Sequence, residues 1–154
     1  MDKRSRTLLI VLVLVVVILG AILIIVLSKS SGNMSNNTSS INQIKSNWTT
    51  FFGSRANLTN REKVLQNGSE FSKEIEAEFN SLGKSSFGTS INSVNLVGNN
   101  KANVSYNIIL NGQEVLKDQQ GQAILINNVW KVSDSTLCSL LAMTGNIPKI
   151  CSAK

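Results

Sequence analysis

Hydrophobic and polar positions fall into three regimes along the chain. Residues 8–27 read LLIVLVLVVVILGAILIIVL, without one polar side chain, and a helix of that length would cover roughly 30 Å of hydrocarbon. The run predicts a transmembrane signal-anchor helix over residues 7–27. Residues 28–40, SKSSGNMSNNTSS, have no apolar periodicity and predict a flexible polar linker. From Ile41 the spacing becomes helical: Ile41, Ile44, Trp48, Phe51 and Phe52 share one face, and Gly53 ends the run. Thr59 and Glu62 fit a capping box for a short second helix that stops at Gly68. Ser69 can cap a third helix with the stripe Phe71, Ile75, Phe79 and Leu82, closed by Gly83.

Beyond Gly83 the period drops to two. Val94 and Leu96, then Ala102, Val104, Tyr106, Ile108 and Leu110, alternate with polar residues as half-buried strands do. Asn111-Gly112 is a strong hairpin signal, because a type I′ turn needs positive φ at both central positions. The next strand, Gln113 to Ile126, changes hydrophobic parity along its length, which predicts a bulge near Gly121. Asn127-Asn128 turns the chain into Val129–Val132. Ser133 or Asp134 can then cap a last helical turn carrying Leu137, Leu140 and Leu141. Three helices followed by an antiparallel meander predict an α+β domain over residues 41–151, with helices covering one face of a curved sheet.

Charge orients this layout. Lys3, Arg4 and Arg6 precede the apolar run, whereas only Lys29 follows it closely. Positive-inside logic therefore makes residues 1–6 a cytoplasmic tail and sends the domain outside the cell. Cleavage within Ser28–Ser31, giving a secreted protein, is the alternative. The formal net charge of +6 is otherwise spread singly, with no basic stripe, so no nucleic-acid partner is expected. Outside the cytoplasm Cys138 and Cys151 are expected to pair. Seven Asn-x-Ser/Thr sequons occur, at Asn33, Asn36, Asn37, Asn47, Asn57, Asn67 and Asn103, as an Asn- and Ser-rich chain yields by chance.

The chain contains no histidine, which excludes Ser-His-Asp triads and His-ligated zinc, and two cysteines cannot make an all-cysteine zinc site. Glu70, Glu74 and Glu78 repeat at helical spacing, but Lys73 and the lack of further convergent ligands predict a solvated face. No metal and no cofactor is expected. A two-residue loop at Asn111-Gly112 would put Tyr106 opposite Lys117 and Ser105 opposite Asp118, so that Tyr106 and Asp118 diverge onto opposite faces. A carboxylate and phenol converging in one pocket are therefore not expected.

Trp48-Thr49-Thr50-Phe51-Phe52, Lys63–Gly68, Val104-Ser105-Tyr106, Gly121-Gln122-Ala123 and Trp130-Lys131-Val132-Ser133, followed by Cys138, Leu140, Leu141 and Cys151, resemble the low-molecular-weight antigen family of mycobacteria and related actinobacteria. The resemblance covers residues 41–151. It implies an exported domain of the cystatin-like, nuclear-transport-factor-2-like kind, two bridged cysteines and no established activity. A span followed by such a domain is also similar in layout to membrane proteins associated with actinobacterial Mce lipid transporters. The expectation is a single-pass, non-enzymatic binding or accessory module in the cell envelope, with an envelope lipid or a membrane protein as partner. Trp48, Phe52, Phe71, Phe79 and Tyr106 are expected to line its cleft. The alternatives are a small isomerase- or dehydratase-like enzyme using that cleft, and a secreted antigen-like protein.

Overall fold

The structure, a computed structural model, describes residues 36–83, 85–145 and 147–152. The chain divides into two units, Met1–Ser39 and Ser40–Lys154. Of the first, only residues 36–39 are described, and they are helical. The expected transmembrane segment, residues 7–27, lies outside the described residues, as does the cytoplasmic tail. The fold class is corrected to what the described residues show, an α+β domain with helices and a four-stranded antiparallel sheet. Among the described residues no helix is long and apolar enough to cross a membrane; the helix over residues 36–52 is polar and exposed along much of its surface.

Helix α1 is already under way at residue 36 and runs to residue 52, so residues 36–40, expected in the linker, are helical. It buries Ile44, Trp48, Phe51 and Phe52. Helix α2, Leu58–Val64, is capped by Asn57, whose side-chain oxygen accepts the Asn60 backbone N–H at 2.9 Å. The expected box at Thr59 is not used. The helix begins two residues earlier, and the Glu62 carboxylate accepts from the Ser72 hydroxyl instead. A 3-10 turn, Gly68–Phe71, leads into α3, Ser72–Ser81, so Ser69 lies inside the turn and does not cap the helix. Gly68 is more than a stop signal: a Cβ there would lie 2.1 Å from the Glu62 carbonyl oxygen.

Four strands, β1 (Phe87–Val97), β2 (Lys101–Leu110), β3 (Gln113–Ile126) and β4 (Val129–Val132), form an antiparallel meander in that spatial order. Leu110 pairs with Gln113 across the Asn111-Gly112 turn, with Asn111 at φ +51° and Gly112 at +79°. The parity change is absorbed elsewhere than at Gly121. Register shifts lie between Ile108 and Ile109 and between Tyr106 and Ile108, so Tyr106 pairs with Gln119 and Ser105 with Gln120. Asp118 occupies the extra position at φ +53°, held by its N–H donating to Asn107 Oδ1 at 2.9 Å. Gly121 serves packing: a Cβ there would lie 2.8 Å from Thr136 Cγ2 and 2.9 Å from Trp48 Cζ2.

Helix α4, Asp134–Met143, is capped by Ser133 through the Thr136 N–H, and a short α5, Lys149–Ser152, follows. The Cys138–Cys151 disulfide ties α5 to α4. Helical residues also close exposed strand edges. Gln43 Oε1 accepts the Trp130 N–H at 2.8 Å, while Asn47 Nδ2 donates to the Trp130 carbonyl. Where β4 ends, the Ser133 N–H donates to the Gln122 carbonyl at 2.9 Å, and the Gln122 N–H donates to Thr136 Oγ1 at 2.8 Å.

Candidate functional site: an apolar groove

Between the helices and the inner face of the sheet lies a groove of about 280 Å³. Its inner wall is Phe51 and Phe52 at the end of α1 with Leu137 and Leu141 of α4. Ile108 contributes from β2, and Glu78, Leu82, Leu116, Met143 and Thr144 stand around it. Leu116 and Met143 are 39% and 59% exposed, large apolar side chains beside an apolar opening. Glu78 is the one charged residue in the lining.

The aromatic wall is ordered by edge-to-face contacts. Phe79 meets Phe51 at 6.1 Å and Phe87 at 5.7 Å between centroids, and Phe51 meets Phe52 at 4.9 Å; such pairs favour geometries that place a positive ring edge on a negative face. Behind Phe79 sits Arg61, 4% exposed, with its guanidinium carbon 3.5 Å from the ring centroid. Arg61 donates to the carbonyls of Phe51 and Gly53, the latter at 2.7 Å, satisfying acceptors at the C-terminal end of α1. Burial pulls its pKa down from the usual 12.5 to about 10, which leaves it charged at neutral pH.

The five expected cleft residues separate into two sets. Phe52 and Phe79 line the groove, whereas Trp48, Phe71 and Tyr106 are fully buried in the core. Tyr106 packs on Trp48 at 5.4 Å and on Phe52 at 5.6 Å, one layer behind the groove wall. Desolvation pushes its phenol pKa well above the ordinary 10. The Trp48 Nε1–H has no hydrogen-bond partner among the described residues. Asp118 stands exposed on the β3 bulge, so it does not share a pocket with Tyr106. Of the three stripe glutamates, Glu78 is drawn to the groove while Glu70 is exposed.

Sequence reasoning passed over the α4 wall as groove lining, although the Leu137, Leu140 and Leu141 spacing was its signal. It also missed Phe87, which opens an eleven-residue β1 where only Val94 and Leu96 showed alternation. Leu116 was hidden by the bulges that turn it toward Ile108. Arg61 carried no signal, being one cation in a polar helix.

Besides Asn57, the cap of α2, two further sequon asparagines are built into the structure. Asn47 holds β4, and Asn67 donates from Nδ2 to Asp134 Oδ2 at 2.6 Å, with its own N–H on Asp134 Oδ1 at 3.1 Å. With the Gln66 N–H on the Val132 carbonyl at 2.9 Å, these bonds fasten the α2–α3 junction to the start of α4.

The site thus lies in a disulfide-tied α+β domain with helices over one face of an antiparallel sheet and an apolar groove between them. The model of the low molecular weight antigen MTB12 C-terminal domain matches residues 37–147, and the chain belongs to that family. Membership in an antigen family fits a secreted or envelope protein. No curated protein matches the chain.

Proposed function

We propose that the domain is a non-enzymatic binding module of the cell envelope that holds the apolar part of an envelope lipid in the groove between α1, α3, α4 and the sheet. The observation that carries this reading is the groove itself: about 280 Å³ open at the surface, with apolar side chains for nearly all of its lining. Exposed Leu116 and Met143 at its margin are the kind of apolar surface that marks a ligand groove. The disulfide and the antigen family support a place outside the cytoplasm.

Native mass spectrometry of the full chain extracted from its host, followed by titration with a neutral dodecyl amphiphile below its critical micelle concentration, tests the reading. The Met143, Leu140 and Leu141 methyl resonances are expected to shift together and saturably. Unchanged methyl signals, with no co-purifying lipid, would overturn it.

A further inference from the structure

The outward face of the sheet, opposite the apolar groove, has a different chemistry. Strand pairing puts Asn95, Asn103 and Gln122 in one row across β1, β2 and β3, and Ser93, Ser105 and Gln120 in the adjacent row. The neighbouring rows, Val94–Val104–Gly121 and Leu96–Ala102–Ala123, point the other way, with Val104, Ala102, Gly121 and Ala123 buried. The six polar side chains are all neutral, and each amide offers a donor and an acceptor. Gln120 Nε2 donates to Ser105 Oγ at 3.3 Å and to the Asp118 carbonyl at 3.2 Å. On the far side of β3 the strip deepens into an open groove of about 520 Å³, where Asn103, Gln120 and Gln122 face Ser135 and Ser139 of α4.

No carboxylate, ammonium or large apolar side chain lines that groove. A charged ligand would lose hydration there without gaining a counter-charge, and an apolar one would find no apolar wall. Charges flank the strip at its two ends: Lys101 and Lys131 beyond the Asn95 row, Asp118 and the Lys117–Glu114 ion pair beyond the Ser93 row. A ligand lying across the strands stays between them. Strands are spaced by about 4.8 Å, close to one sugar ring of an extended β-linked chain, so each strand meets about one ring. Vicinal hydroxyls match the paired donors and acceptors of the amides.

We propose that this face binds a neutral, extended glycan, with Asn103 and Gln122 as its central contacts. The site lies on the other side of the sheet from the apolar groove and does not rest on the reading of that groove.

The test is side-chain amide NMR of the full chain titrated with the neutral β-1,4-linked tetramer of N-acetylglucosamine, alongside its de-N-acetylated cationic form and an anionic uronic-acid tetramer. Saturable shifts of the Asn95, Asn103 and Gln122 side-chain amides with the neutral tetramer, without movement of the Met143 methyl, are expected. The exposed double variant N103A/Q122A should keep the wild-type melting temperature and bind about tenfold more weakly, as the loss of two hydrogen bonds implies. Three outcomes each overturn the proposal: no amide shift with the neutral tetramer, equal or tighter binding of either charged tetramer, or amide shifts that follow protein concentration without any glycan, which would make this face a contact between copies of the chain.

Discussion

Arg61 holds its guanidinium 3.5 Å from the centroid of the Phe79 ring while its nitrogens take the carbonyls that end α1. One buried cation from α2 thus fixes a wall of the apolar groove and closes a helix end. Arg61→Ala leaves the Phe51 and Gly53 carbonyls without this donor and removes the stem under Phe79. A loss of about 3 kcal/mol is expected, because the variant combines lost charged hydrogen bonds with a cavity. Arg61→Lys should recover only part of it, since an ammonium lacks the planar fork that serves two acceptors. Urea unfolding of the three proteins measures this, and equal midpoints would refute the role.

Tyr106 is the single tyrosine of the chain, so its ionisation can be followed alone near 295 nm. Desolvation raises its folded-state pKa, while in the unfolded chain it titrates near its ordinary value of 10. A group with a raised folded pKa contributes stability that is complete below its unfolded pKa and is lost as pH rises beyond it. Phenolate absorbance should therefore stay flat in the native protein through pH 10 and rise only as the fold opens. Relative to Tyr106→Phe, the wild type should lose stability above pH 10. A native phenolate transition centred at 10 would contradict the burial.

The Cys138–Cys151 bridge closes a loop with a sequence separation of 13. Reduction is expected to cost about 3 kcal/mol by the chain-entropy relation, and to release α5 before the sheet melts. Hydrogen exchange read separately at Ile150 and at β2 checks the order. No thiol should react in the native oxidised protein.

Leu116 and Met143 stand exposed beside the groove and contribute little to the core. Leu116→Lys and Met143→Lys are each expected to change stability by less than about 0.5 kcal/mol, yet to weaken binding of the dodecyl amphiphile at least several-fold. Binding that survives both variants would place the amphiphile elsewhere.

Gly68→Ala should be strongly destabilising, because its Cβ would fall 2.1 Å from the Glu62 carbonyl oxygen, backbone that has to move to make room. Differential scanning calorimetry gives the measure, and a melting temperature within a degree of the wild type would show that the α2–α3 junction yields freely.

Local order was legible in the chain because it depends on neighbours in sequence. Helical spacing placed Trp48, Phe51 and Phe52 on one face, alternation marked β2, Asn111-Gly112 set the hairpin, and Ser133 was one of two caps foreseen for α4. Where two signals competed within a few residues, local reasoning chose wrongly: Asn57 captured the cap of α2 that Thr59-Glu62 advertised. Features that depend on distant residues were not legible. The β3 bulges sit where Asn107 can accept the Asp118 N–H and donate to the Glu114 carboxylate, not at Gly121, whose missing side chain answers to Trp48 and Thr136.

The sequence by itself determined an α+β domain built from amphipathic helices and an antiparallel meander, because periodicities of 3.6 and 2 follow from local backbone geometry. It also held the pairing of Cys138 with Cys151 and the membership in the antigen family. Only the tertiary structure decided which aromatics face a groove and which fill the core. Phe52 and Phe79 lie at the groove while Trp48, Phe71 and Tyr106 lie behind it, since the depth of a side chain depends on the elements packed over it. The same holds for Arg61, whose purpose becomes visible only when α2 comes to rest against the end of α1.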